Sequence, residues 1–268
     1  MKKTVAVIGC GALGTAIAQA LAELLGEKYS LLGILGQTPE EPKALADKTG
    51  SKAYSTLEQL MGDTPDYVVE AAGGDAVRQY GVKVLAGGSN LILLSVGALA
   101  DHHFRQTLEK AAEESDRKIY LPSGAIGGLD VLRAMRLMGS EMKVRVENRK
   151  APESLEGAPG LAGRCLSREQ EELVFSGTAL EAIQSFPKNV NVAVAAALSG
   201  IGPENTTVDI ISVPGLVENT HCIHGQNASV RVTLETASLP DPENPRSSTL
   251  AAWSVVALLQ NLASPYQF

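Results

Sequence analysis

The sequence predicts an α/β protein in two parts: a doubly wound α/β domain, then an α+β domain with an open, mostly antiparallel sheet. Three observations predict this. Short apolar runs alternate with helical segments up to Leu121. A glycine-rich turn joins the first run to the first helix. Beyond residue 130 the apolar pattern changes to period two, the mark of strands with one wet face. The 268 residues give room for two domains. Residues are 44% hydrophobic but only 4% aromatic, so the core must be built from Ala, Val, Leu and Ile.

Residues 3–8 read as a buried strand and residues 15–25 as a helix that stops near Gly26. Between them lies Gly9-Cys10-Gly11-Ala12-Leu13-Gly14. A G-x-G-x-x-G turn set between strand and helix marks a Rossmann-type dinucleotide-binding domain. Gly9 permits the tight turn, Gly11 lets the backbone approach a pyrophosphate, and Gly14 lets helix and strand pack closely. The helix N-terminus then attracts the phosphate charge. Gly9, Gly11, Ala12, Leu13 and Gly14 are therefore the candidate cofactor contacts. A second strand over 29–35 ends in Gly36-Gln37-Thr38. It carries neither the acid that holds a ribose 2′-hydroxyl nor an Arg for a 2′-phosphate, and Lys43 is the nearest cation. The cofactor is accordingly NAD or NADP. Further strands over 66–72, 90–95 and 118–121 end in small residues, which leave room for a flat ligand at their carboxyl ends. Glu70, at one such end, fits a capping role better than a catalytic one.

Charge and cysteine usage narrow the class. A net charge of −7 and a pI near 5.2 argue against a nucleic-acid partner. Cys10, Cys165 and Cys222 are far apart and odd in number, so a reducing, cytoplasmic setting is expected rather than a disulfide framework. No secretory leader and no membrane-spanning run is expected.

In the second half, residues 130–138 read as a helix and 142–150 as an alternating strand. A Pro-, Gly- and Ala-rich loop over 151–163 follows, then a short helix over 176–183, a small-residue helix over 192–198, and strands over 209–213 and 228–236. Polar residues 244–249 precede an apolar helix over 250–259 that is expected to pack back on the first domain. The domains are thus expected as 1–122, completed by 240–268, and 123–239. His221, Cys222 and His224 form a possible metal cluster, but an extended segment puts His221 on one face and the other two on the opposite face. Zinc needs three or four converging ligands, so no metal is expected. His102 and His103 follow Asp101 at a helix start and are expected to be exposed.

Four stretches carry a resemblance: residues 121–130 (LPSGAIGGLD), 186–193 (FPKNVNVA), 219–223 (NTHCI) and 244–248 (NPRSS). In this order and spacing they resemble the L-aspartate dehydrogenase family, and the match covers almost the whole chain. The family often carries an acid after the histidine, where this chain has Cys222. The resemblance implies a homodimeric enzyme that oxidises L-aspartate to iminoaspartate with NAD or NADP. Iminoaspartate then feeds pyridine nucleotide biosynthesis or hydrolyses to oxaloacetate and ammonia. It also implies that Ala125 and Asn191 contact the cofactor and that His221 is catalytic. An imidazole of ordinary pKa, about 6.5, suits proton removal from the substrate amine or, protonated, carboxylate binding. Lys188 and Arg246 are candidate partners for the two substrate carboxylates. Asn189 and Asn191 point in different directions if both lie on the helix, so one caps while the other meets the cofactor. Rival readings are a homoserine- or dihydrodipicolinate-type oxidoreductase, and a catalytically silent dinucleotide-binding sensor.

Overall fold

The structure is a computed structural model that describes residues 2–187, 190–241 and 244–267. The chain divides into two compact units, Met1–Pro122 with Ala251–Phe268, and Ser123–Leu250. In the first, the chain runs β1 (Lys3–Ile8), α1 (Ala12–Glu23), β2 (Tyr29–Leu35), α2 (Lys43–Thr49), β3 (Lys52–Tyr54), α3 (Leu57–Gly62), β4 (Tyr67–Glu70), α4 (Gly74–Ala86), β5 (Asn90–Leu93), α5 (His102–Glu114) and β6 (Ile119–Tyr120). All six strands are parallel, in the order β3-β2-β1-β4-β5-β6. This doubly wound order binds ligands at the carboxyl ends of its strands.

Strands buried on both faces explain the near-continuous apolar runs: Val5, Ala6, Val7, Val68, Val69 and Ile92 are fully buried. Their aliphatic side chains pack with Ile17, Leu21 and Ile34 into one core. The last helix joins that core through Ala252, Val255, Val256 and Leu259, and the Tyr29 hydroxyl donates to the Leu259 carbonyl at 2.7 Å. Asp101 caps α5 by accepting from the Phe104 amide, and His102 and His103 are exposed.

The second unit holds α6 (Leu129–Leu137), β7 (Lys143–Lys150), α7 (Pro152–Leu155), β8 (Glu172–Thr178), α8 (Ala179–Ser185), α9 (Asn191–Ser199), β9 (Thr207–Ser212), β10 (Asn219–Gln226), β11 (Arg231–Ser238), β12 (Pro240–Asp241) and β13 (Asn244–Ser248). The helix α10 (Thr249–Leu262) starts here and carries the chain into the first unit. Five strands form a sheet in the order β11-β10-β7-β9-β8, antiparallel except for the β7–β9 pair. Along β7, Val144, Val146, Asn148 and Lys150 are buried, while the residues between them face the other way. That other face carries charge: the Arg145 guanidinium donates to Asp209 at 2.5 Å and lies 3.3 Å from Glu147.

Several expectations change: the strand expected over 228–236 runs Arg231–Ser238, the residues expected as polar caps before the last helix form β13, and residues 240–250, expected with the first domain, belong to the second unit. Ser176, Gly177 and Thr178 end a strand rather than open a helix, and the helix starts at Ala179. Thr178 caps it in a reciprocal box with Glu181, so the local cue was a boundary read too early. The segment over 151–163 is not bare loop, because Pro152–Leu155 and Pro159–Leu161 each make a short helical turn started by proline.

Candidate active site

The glycine loop has three distinct geometries. Gly9 adopts φ +111°, and a Cβ there would lie 2.6 Å from the Ala71 carbonyl oxygen. A Cβ on Gly14 would lie 2.0 Å from the Gly9 carbonyl oxygen, so only glycine allows α1 to sit this close to β1. A Cβ on Gly11 would meet nothing within 4 Å. Gly9 and Gly14 are thus fixed by the protein itself. Gly11 leaves open space at a helix N-terminus whose first turn holds no acid. Open space beside free amides and a positive dipole end fits a pyrophosphate. Ala12 opens α1, and Leu13 is packed against the core.

Two acids frame this loop. Glu70 is buried, and its carboxylate accepts from the amides of Ala72, Gly73 and Ser95 and from the Ser95 hydroxyl. It ties the ends of β4 and β5 together, the capping role expected of it. Glu41 corrects the view that no acid stands at the end of β2. Its carboxylate folds back, accepts from the Gln37 amide at 2.8 Å and lies 3.7 Å from the Cys10 thiol. Sequence spacing hid it, because the acid comes after a turn rather than on the strand.

In the second unit, β10 confirms the facing inferred from its spacing. His221 is 4% exposed, whereas Cys222 and His224 share the opposite face with Sγ and Nε2 3.4 Å apart. His224 lines a cavity of about 620 Å³ together with Arg145 and Arg231, and His221 does not. Among the described residues no group of three His, Cys, Asp or Glu side chains converges as metal ligands would.

His221 sits opposite Asn148 of β7, and its Nδ1 lies 2.6 Å from Asn148 Oδ1. An amide oxygen only accepts, so Nδ1 carries the proton and Nε2 presents a lone pair. Burial, and then the positive charge of Lys150, push the imidazole down to about 3. The ring is therefore neutral at physiological pH, an acceptor and not an imidazolium.

Ala125 is buried, in the loop between the glycines Gly124 (φ +66°) and Gly128 (φ +70°). Asn191 is the first residue of α9 and half-buried; the N-cap is Val190, which caps with no side chain. Lys188 and Asn189 lie outside the described residues. Arg246 is on β13. Residues that sequence reasoning passed over are Asn148, Lys150 and Ser212, all buried and polar. Asn148 and Lys150 continue the apolar phase set by Val144 and Val146, and a polar residue in an apolar phase was the available signal.

Comparison with known proteins gives consistent results. Residues 130–262 match the family described as aspartate dehydrogenase, C-terminal, and residues 9–122 match homoserine dehydrogenase, NAD binding domain. An L-aspartate dehydrogenase of Methanosarcina barkeri is 37% identical, with 98% of both chains covered. One of Acinetobacter baumannii is 36% identical, with 100% of both covered. The crystal structure of an aspartate dehydrogenase from Thermotoga maritima superposes with a TM-score of 0.79 at 27% identity, covering 100% of both. With relatives at this identity over nearly its whole length, the chain belongs to the L-aspartate dehydrogenase family.

Proposed function

We propose that the chain catalyses the NAD(P)-dependent oxidative deamination of L-aspartate to iminoaspartate. One observation carries the reading beyond kinship: His221, in the motif on which the resemblance rests, is a buried neutral imidazole whose Nε2 has no hydrogen-bond partner among the described residues. When bound, NAD(P) supplies the acceptor for the hydrogen and electron pair that leave the substrate Cα. The substrate enters as an ammonium, whose nitrogen must lose a proton before its lone pair can assist. His221 Nε2 takes that proton, and Asn148 holds the ring in the required tautomer. Ala125 and Asn191 are assigned to the cofactor on the resemblance, with Gly9, Gly11, Ala12, Leu13 and Gly14 on loop geometry. Lys188 and Arg246 remain assigned to substrate carboxylates on charge alone.

Within the cofactor class we infer a preference for NAD. The Glu41 carboxylate is pinned at the end of β2, where it would accept from a ribose hydroxyl and repel a 2′-phosphate. The product iminoaspartate feeds pyridine nucleotide biosynthesis or hydrolyses to oxaloacetate and ammonia. The setting is the cytoplasm, in keeping with three free cysteines, and the assembly is the homodimer that the family resemblance implies. No helix among the described residues is long and apolar enough to cross a membrane.

The test is reduced-cofactor formation by the purified chain with a panel of amino acids that includes L-homoserine. Turnover of L-aspartate above all others is expected. Turnover of L-homoserine without L-aspartate would replace the reading.

A further inference from the structure

Lys150 is a buried cation with no counter-ion among the described residues. It ends β7 and is 3% exposed. Burial alone pushes its ammonium down to about 8, and among the described residues no carboxylate pairs with it. An unpaired buried charge destabilises a fold, so stability gives no reason to keep one here.

Two further donors stand on the same sheet face. Asn148 precedes Lys150 by two positions on β7, and Ser212 is the register partner of Lys150 on β9. Both are fully buried. Asn148 spends its Oδ1 on His221, and among the described residues neither its Nδ2 nor the Ser212 hydroxyl has a hydrogen-bond partner. Buried donors are nearly always satisfied. An ammonium that no described carboxylate neutralises, beside an amide N–H and a hydroxyl on the same face without described acceptors, is complementary to a carboxylate.

We propose that Lys150, Asn148 and Ser212 form a carboxylate subsite that holds one carboxylate of the dicarboxylate amino acid next to His221. The proposal rests on the reading of L-aspartate as substrate. It adds a coupling: a carboxylate seated there offsets the Lys150 charge that, after burial, depresses the His221 imidazole. Substrate binding thereby makes His221 a stronger base. Lys150 binds the substrate and takes no proton; the proton still passes to His221 Nε2.

Succinate, which has two carboxylates and no amine, is the probe. Its binding is measured by calorimetry on wild type, Lys150→Met, Lys150→Arg and Ser212→Ala, beside NADH titrations and L-aspartate kinetics. Lys150→Met should weaken succinate binding and raise KM for L-aspartate roughly 10- to 100-fold, as loss of a charged hydrogen bond does. NADH affinity should hold, and Lys150→Arg should recover part of the loss. The acid limb of kcat/KM should move to higher pH in Lys150→Met, since His221 loses a nearby positive charge. Ser212→Ala removes one hydroxyl that has no partner among the described residues and should weaken succinate several-fold; it keeps the test open should Lys150→Met fail to fold. Unchanged succinate binding in folded Lys150→Met, or in Ser212→Ala where Lys150→Met does not fold, would overturn the subsite. Lys150-dependent succinate binding in a chain that does not turn over L-aspartate would keep the subsite and remove the activity reading.

Discussion

His221 shows how far a side chain's chemistry is set by its neighbours. Residue type alone suggests a group that titrates near neutrality. Burial and Lys150 move the imidazole well below that range, and the Asn148 oxygen selects the tautomer. Sequence had left base and carboxylate binder open. A ring held neutral does not serve as an imidazolium for a carboxylate at neutral pH, and under the proposed subsite Lys150 supplies that cation. The same depression has a consequence for stability. A base that titrates lower in the folded state binds fewer protons than the unfolded chain between pH about 6.5 and about 3. Its contribution is complete above that window and is lost as pH falls through it. Thermal melts of wild type and His221→Gln should therefore converge as pH is lowered from 6.5; parallel curves would mean that His221 titrates normally. Lys150 acts in the opposite sense, since holding its ammonium at about 8 against 10.5 costs about 3 kcal/mol at neutral pH. Lys150→Met is thus expected to melt at or above the wild-type temperature. Glu41 makes a separate prediction. Glu41→Gln removes the charge that repels a 2′-phosphate, so the ratio of NADH to NADPH affinity should fall about 10-fold or more. Fluorescence titration with both reduced cofactors reads this directly, and an unchanged ratio would take Glu41 out of cofactor selection.

At the scale of elements, the glycine loop was legible because each of its three glycines answers to a different constraint. Gly14→Ala would drive a Cβ into the Gly9 carbonyl and should cost both folding and cofactor binding. Gly11→Ala meets no protein atom, so it should leave the melting temperature within a few degrees and weaken NADH about 10-fold or more. Thermal melts paired with NADH titrations separate the two; full NADH affinity in Gly11→Ala would show that phosphate does not approach there. Strands that period two could not reveal were β3, only three residues long, and β8. The latter is an edge strand whose register shifts between Leu173 and Phe175, which breaks the alternation a sequence can show. Strand β10 was legible only in its facing. The opposition of His221 to Cys222 and His224 follows from spacing, but the partner across the ladder does not. Asn148 is 73 residues away, and only the register of β7 with β10 brings it to the ring.

Over the whole molecule, the chain visits its first unit twice. Residues from Ala251 onward return to it, and α10 completes a core begun by β1 and α1. Apolar composition and polar residues before the last helix made this return readable. What could not be read was the buried polar row in the second unit. It arises from three strands distant in sequence, β7, β9 and β10, whose side chains meet only through sheet order. Division of labour follows from this: the first unit offers a glycine loop and an acid suited to a dinucleotide, and the second offers an oriented imidazole near a buried lysine with no carboxylate partner among the described residues. The most direct test is the single-turnover rate of reduced-cofactor formation from L-aspartate in wild type, His221→Ala and His224→Ala, with NADH affinity measured alongside. A loss of about 100-fold or more is expected for His221→Ala with NADH affinity intact, and near-wild-type rates for His224→Ala. An undiminished rate in His221→Ala, or an equal loss in His224→Ala, would contradict the account.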